Sequence, residues 1–257
     1  MRTIDLNCDM GESFGAYKLG RDEDAIKYIS SANIACGWHA GDALVMNRTV
    51  KLAAEHGVGV GAHPSYPDLM GFGRRNMDCS GEEIRHYVVY QIGALQSFCK
   101  VNNVKMQHVK PHGNLYLTAV ENETVATAVA EAIVSVDPNL MYVALAGAKG
   151  ALMTKVGEKL GLKVLYEAFP DRAYTADGTL ASRRVPGAVI TDPNKVAERA
   201  LMMAKEGKVV AIDGTVVDLE VQTLCVHGDN PSAVDLVKTI RGLLESEGIA
   251  VKPMGQV

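Results

Sequence analysis

The chain has no run of about 18 apolar residues, so no membrane-spanning helix is expected. It has no CxxC pair. Its five cysteines stand singly at positions 8, 36, 79, 99 and 225, which excludes a zinc ribbon and argues against a disulfide framework. It also lacks a basic stripe: 26 Lys and Arg against 30 Asp and Glu give a formal net charge of −4, unlike a nucleic-acid binder. The opening MRTIDLNCDMGES does not have the charged-then-apolar build of a secretion signal, and a reducing cytoplasm is the expected location. Three catalytic signatures are absent: the GxxxxGK[ST] phosphate loop, HExxH and the GxSxG elbow. GVGVG (57–61) precedes a histidine loop instead of a helix, so it reads as close strand packing and not as a dinucleotide fingerprint. No like-charge tail, low-complexity segment or internal repeat of roughly 20–50 residues is present.

What is present suffices for a full core. The 257 residues are 47% hydrophobic and 22% charged, which fits one α/β domain over 1–257. Short apolar runs alternate with helical patterns. Strands are expected at 3–8, 32–36, 58–62, 106–109, 140–146, 163–166 and 222–226. Helices are expected at 24–29, 42–56, from Ser80, at 122–136, 150–160, 192–205 and 230–247. Ser80 with Glu83 fits a capping box, and Asp192-Pro193 and Asn230-Pro231 fit helix starts. An irregular stretch covers 170–191, a hairpin is expected around Asp213-Gly214, and 249–253 reads as a last short strand. Seven strand–helix units favour a barrel over an open sheet.

Polar residues collect where the expected strands end. ACGWHAGD (35–42) closes one apolar run and opens a helix. His39, His63, His108, His112 and His227, five of the seven histidines, fall at such ends, where α/β folds bind ligands. Residues two apart share a strand face, which groups Asp5, Asn7 and Asp9, and also His108 and Lys110, with His112 just beyond. His227 and Asp229 follow the seventh strand. Each has an ordinary reading on its own. Asp9 suits a turn before Gly11, Asp42 suits a helix N-cap, His63 suits a core and Lys110-Pro111 suits a surface turn. Their gathering on one edge favours a site. Arg74 and Arg75, after GFG, read either as a clamp for a carboxylate or phosphate or as a solvated turn; Arg183 and Arg184 have the same two readings. Cys8 is out of phase with Asn7 and Asp9, which disfavours a thiolate nucleophile. Trp38, the single tryptophan, packs either the rim or an interface.

Six co-linear motifs then become specific together: DLNCDMGESFG, ANIACGWHAGD, GAHPSYPDLMGFGRR, VKPHGNLY, RRVPGAVI and CVHGDNP. In this order, from Asp5 to Pro231, the chain resembles the LamB/YcsF family. The resemblance implies a distorted (β/α)7 TIM-like barrel of the glycoside hydrolase/deacetylase type. It implies the 5-oxoprolinase reaction, in which 5-oxo-L-proline, ATP and water give L-glutamate, ADP and phosphate, with two partner subunits, B and C. ATP is then the cofactor of the complex, handled by the partners. On this reading the catalytic groups are Asp9, His39, His63, Lys110, His112, His227 and Asp229. Asp9 or His63 acts as base, Lys110 meets the developing negative charge, and His112 or His227, the latter oriented by Asp229, protonates the leaving nitrogen. Asn7, Glu12, Arg74 and Arg75 are the expected substrate contacts. Deacetylases of that superfamily hold a divalent ion with one Asp and two His, for which Asp9, His39 and His63 are the candidates here, and the metal stays open. Two rival classes remain: a stand-alone metal-dependent amidase or deacetylase, and a non-catalytic binding component.

Overall fold

The computed structural model describes residues 2–230 and 232–257. Pro231, expected to open the last helix, lies outside the described residues. In chain order the elements are β1 (Arg2–Met10), α1 (Asp22–Ala25), β2 (Ser31–Ala35), α2 (Ala43–His56), β3 (Gly59–His63) and α3 (Gly81–Val101). Then come β4 (Met106–Val109), α4 (Gly113–Glu121), α5 (Glu123–Val136), β5 (Met141–Leu145), α6 (Ala151–Lys159) and β6 (Val164–Ala168). The last part holds α7 (Pro193–Glu206), β7 (Lys208–Val210), β8 (Val216–Asp218), β9 (Thr223–Val226), α8 (Ala233–Ser246) and β10 (Ile249–Val251).

Seven parallel strands close a barrel in the order β1-β2-β3-β4-β5-β6-β9, with β9 pairing back to β1. The closure is irregular. β4–β5 and β6–β9 share only two residue pairs each, and the β3–β4 register shifts between Val60 and Gly61. β10 pairs in parallel with residues 2–4 of β1, outside the seven, and β7–β8 form a separate antiparallel ribbon.

Strand alternation divides polar from apolar. On β1, Leu6, Cys8 and Met10 join the large apolar core shared with the helices. Asp5, Asn7 and Asp9 take the other parity and are buried in the barrel. There they bond across strands. Asn33 Nδ2 on β2 donates to Asn7 Oδ1 at 2.6 Å and to Asp9 Oδ1 at 2.8 Å. His108 Nε2 on β4 lies 2.7 Å from Asn33 Oδ1, and Asn7 Nδ2 donates to Glu167 Oε1 at 3.1 Å. Polar side chains fill this barrel because they satisfy one another. A methyl group at Gly61 would come within 2.1 Å of His108 Nε2, which is the close approach behind the glycines of GVGVG.

Local capping follows the residue pattern. Asp42 accepts from Leu44 N and Val45 N, Ser80 and Glu83 form the reciprocal box, and Asp192 caps α7 with Pro193 at its first turn. β1 runs two residues beyond the expected 3–8, and α8 begins at Ala233, not at 230. Three further differences bear on the frame of the site. α1 spans Asp22–Ala25, earlier and shorter than 24–29. α4 opens on the glycine of KPHG, where no helix was expected, because the Asn122 cap draws attention to the start of the next helix. β6 runs on to Ala168, which brings Glu167 inside the barrel.

Candidate active site

Every strand-end histidine of the sequence reading except His108 meets the same cleft or its floor. The cleft has a volume of ≈ 1090 Å³, and its lining includes Asp9, His63, Lys110, His112, Arg74 and His227.

The first group is built around Lys110, just past β4. Its Nζ donates to Asp9 Oδ1 at 2.8 Å, lies 3.3 Å from Glu167 Oε1 and 2.8 Å from Cys225 Sγ. Burial opposes the ammonium, but Asp9 and Glu167 outweigh it and hold the Lys110 pKa well above its usual value. Burial also pushes Asp9 up, yet His63 and Lys110 keep it well below the usual carboxylate range. Asp9 is therefore ionised. Burial raises Glu167, against the pull of Lys110. Glu167 Oε2 and the Tyr116 hydroxyl are buried without a hydrogen-bond partner. Cys225 keeps its proton, since burial and the Asp9 charge push its thiol well up.

The second group is histidine-rich. His63 Nδ1 lies 2.7 Å from the Lys110 carbonyl, and His112 Nε2 lies 2.9 Å from the Phe72 carbonyl. A carbonyl oxygen only accepts, so both nitrogens carry their protons. The remaining nitrogens, His63 Nε2 and His112 Nδ1, face each other at 2.9 Å. In two neutral rings this sets lone pair against lone pair. A cation between them, either a shared proton or a metal ion, removes the conflict. Two further donors converge there. Glu12 Oε1 is 3.2 Å from His39 Nε2 and 3.8 Å from His112 Nδ1, and ligand atoms of Glu12, His39, His63 and His112 all lie within 4.8 Å of one another. His39 stacks on His112 at 3.7 Å, and its Nδ1 has no partner. Burial holds His39 and His112 well below the usual imidazole range, which leaves them neutral, the ligating form. Burial and the nearby Asp9 and Asp229 charges push Glu12 well up, a cost that a cation would offset. This three-nitrogen, one-oxygen set suits a divalent transition metal. It differs from the expected trio of Asp9, His39 and His63. Asp9 Oδ1 lies 3.4 Å from His63 Nε2 but is taken up by Lys110 and Asn33, and Glu12 and His112 complete the converging set.

The third group is His227, after β9. Its Nδ1 lies 3.0 Å from Asp171 Oδ2, and its ring stacks on Phe169. Burial raises Asp171, but His227 pulls its carboxyl below the ordinary value. Asp171 thus orients His227, in place of the expected Asp229. β6 and β9 are barrel neighbours, so the loop after β6 reaches His227, whereas Asp229 turns away to accept from Arg74 at 2.8 Å.

The remaining expected contacts separate. Arg74 lines the cleft, and its guanidinium lies 4.8 Å from the Phe72 ring centre. Arg75 is largely exposed, pairs with Asp68 through Nε at 2.8 Å and is absent from the cleft lining. Asn7 lies fully buried beneath the cleft, where Asn33, Glu167 and Thr223 occupy its polar atoms. Trp38 packs against Tyr87 and Tyr90 at 4.9 and 5.4 Å. Sequence reasoning missed Glu167, Asp171 and Tyr116. Both acids lie in EAFPDRAY (167–174), just past the expected strand 163–166, and strand parity on a correctly placed β6 singles out Glu167.

The profile of the LamB/YcsF family matches residues 4–257. The A subunit of 5-oxoprolinase from Pyrococcus abyssi is 57% identical over 251 residues, covering 98% of this chain and 97% of that protein. Its counterpart of the same name from Natranaerobius thermophilus is 57% identical over 255 residues, covering 99% and 98%. The crystal structure of the lactam utilization protein from Thermus thermophilus superposes with a TM-score of 0.92 at 47% identity, covering 97% of this chain and 99% of that one. A T48 deacetylase, at 16% identity and a TM-score of 0.53 over 99% and 89%, shares the fold alone. With its barrel, its motifs and a match over nearly its whole length, the chain belongs to the LamB/YcsF family.

Proposed function

We propose that this chain is the A subunit of an ATP-dependent 5-oxoprolinase: one catalytic barrel domain that opens the lactam ring of 5-oxo-L-proline to L-glutamate. One observation carries the reading. Asp9, Lys110 and His227 face a single cleft in a chain similar along its length to proteins that bear the name of the 5-oxoprolinase A subunit.

A lactam carbonyl is a poor electrophile, and a phosphoryl group on its oxygen makes the carbon attackable. The chain has no phosphate-loop signature, so partner subunits B and C handle ATP, and ring opening takes place here. Asp9, kept ionised by Lys110 and His63, accepts a proton from the attacking water. Lys110 donates to the former carbonyl oxygen and the phosphoryl charge it carries as the carbon becomes tetrahedral. The carbon–nitrogen bond breaks, and His227, oriented by Asp171, delivers the proton that the departing nitrogen needs. This leaves the ring-opened acyl phosphate, and a second water displaces its phosphate to give L-glutamate. Arg74 binds the substrate carboxylate from the rim. A divalent ion held by Glu12, His39, His63 and His112 would add Lewis-acid polarisation and a more acidic water. All five cysteines are free, which suits the cytoplasm, and no helix among the described residues is long and apolar enough to cross a membrane.

The deciding assay follows glutamate and ADP together, with this chain alone and with its two partners. Coupled formation of both only in the complete set is expected. ATP turnover by the chain alone with 5-oxoproline refutes the division of labour. The histidine cluster favours a second reading, a stand-alone metal-dependent amidase or deacetylase. ATP-independent hydrolysis abolished by chelation selects that one. Elemental analysis of protein purified without chelator, compared with His112→Ala, reads metal content without reference to turnover.

A further inference from the structure

The loop between β6 and α7 is an ordered wall of the cleft. Arg172 pairs with Val189 and Tyr174 with Leu180 in antiparallel bridges, over a small core of Ala173, Ala181 and Ala188. Arg199 of α7 pins its base through the carbonyls of Pro170 and Arg172. Within this wall Arg172 is 93% buried yet lines the cleft. Its Nε and one terminal nitrogen bond the carbonyls of Ala188 and Ala181, which fixes the plane of the guanidinium. No carboxylate lies within ion-pair distance of it among the described residues. Arg183 and Arg184, at the rim of the same cleft, also lack an acidic partner among the described residues. Burial, with the nearby Arg183 charge adding to it, pushes Arg172 down to about 10. Arg172 is therefore a buried cation with no carboxylate in ion-pair reach, on a wall that also carries the exposed Arg183 and Arg184, and burying an unpaired charge is costly unless a counter-charge arrives.

The other cations of the cleft are already matched: Lys110 by Asp9 and Glu167, and Arg74 by Asp229. A carboxylate is satisfied by one guanidinium fork, whereas a phosphoryl dianion calls for more than one cation. The cleft, at ≈ 1090 Å³, is also far larger than a five-membered lactam requires, since pockets of about 300–1,000 Å³ hold drug-sized ligands.

We propose that Arg172, Arg183 and Arg184 form a phosphoryl-binding subsite on this wall. Resting on the function proposed above, this makes a phosphorylated lactam, activated by the partner subunits, the species the chain receives. The subsite holds its phosphoryl group while Arg74 holds its carboxylate.

The test is calorimetric titration of the full chain at low salt with inorganic phosphate, with acetate as a monoanion control, and separately with 5-oxoproline. Arg183→Gln/Arg184→Gln is the variant of choice, because both side chains are exposed and neither makes a hydrogen bond that holds the loop. Wild type is expected to bind phosphate in preference to acetate. The double variant is expected to bind phosphate about tenfold more weakly and 5-oxoproline within about twofold of wild type. Phosphate binding that is absent from wild type at millimolar concentration, or unchanged in the double variant, overturns the subsite. A variant that loses 5-oxoproline instead of phosphate also overturns it, because the arginines would then hold the substrate carboxylate. Wild type that binds phosphate but not 5-oxoproline leaves the subsite standing and counts against the proposed substrate, so the two failures are distinguishable.

Discussion

Asp5 offers a measurable consequence of filling a barrel with polar groups. Its carboxyl sits at the closed base of the barrel, fully buried, and accepts hydrogen bonds from Ser30, Ser31 and Thr223. Burial pushes its pKa from the ordinary 3.8 to about 7, against the three hydroxyls and with help from the Glu167 charge. Below about pH 3.8 the native and unfolded chains both hold this proton. Between there and about pH 7 the native carboxyl stays protonated while the unfolded one ionises. The native state then binds more protons, so stability falls as pH rises. Above about pH 7 the loss is complete, at roughly 4 kcal/mol.

Asp5→Asn keeps the shape and removes the titration. The expected result is a stability difference between variant and wild type that shifts by about 3 kcal/mol in the variant's favour from about pH 4.5 to 8.5. Urea denaturation at a series of pH values measures it, and the difference between the two proteins cancels every other titrating group to first order. Parallel profiles, within about 0.5 kcal/mol across the range, would refute the reasoning. They would mean that three hydroxyl donors suffice to keep a buried carboxylate charged.

Three other perturbations separate catalysis from architecture. Asp171→Asn should lower kcat of the reconstituted complex by about a hundredfold or more through loss of the His227 orientation, while Asp229→Asn, which frees Arg74, should act mainly on KM; equal effects on both parameters would contradict the pairings. Lys110→Met leaves Asp9 and Glu167 without their cation and should destabilise by about 3–5 kcal/mol in urea, with Lys110→Met/Glu167→Gln recovering part of that loss. Gly228→Ala drives a methyl group to 2.1 Å from the Asp9 carbonyl and should cost about 2 kcal/mol or more by thermal melting, whereas Gly242→Ala, in open space within α8, should gain about 0.5–1 kcal/mol.

What the sequence made legible, and what it hid, divides along a physical line. Period-two alternation put Asp5, Asn7 and Asp9 on one face because it is set by local backbone geometry, and β1 is long enough to display it. The caps at Asp42, Ser80 and Asp192 were legible for the same reason: each is a bond spanning two or three residues. β6 was harder. It is five residues of mixed parity, and a shift of two residues at its end decides whether Glu167 lies in a loop or within reach of Lys110.

Partner choice across the barrel was hidden altogether. Asp229 is two residues from His227 and looked like its natural partner, whereas Asp171 is 56 residues away. That long pairing exists because α7 and the β7–β8 ribbon, which intervene in sequence, stay out of the barrel and let β6 meet β9. The hairpin around Asp213-Gly214 reads as separate from the seven strands, but nothing local in 193–218 says which strand the seventh meets. The same logic applies to the cluster of Glu12 and three histidines. His39, His63 and His112 are found from strand ends, but Glu12 joins them through the turn after β1, and the Phe72 carbonyl that fixes the His112 tautomer has no mark in the sequence. Phe72 is placed for this by its left-handed conformation, at φ 55°, unusual for an aromatic residue and stabilised by the adjoining Gly73 turn. A strained loop residue that orients a site histidine is a structural dependency with no motif of its own. Substitution of Phe72 is therefore a sharper probe of that cluster than its distance from any ligand atom suggests.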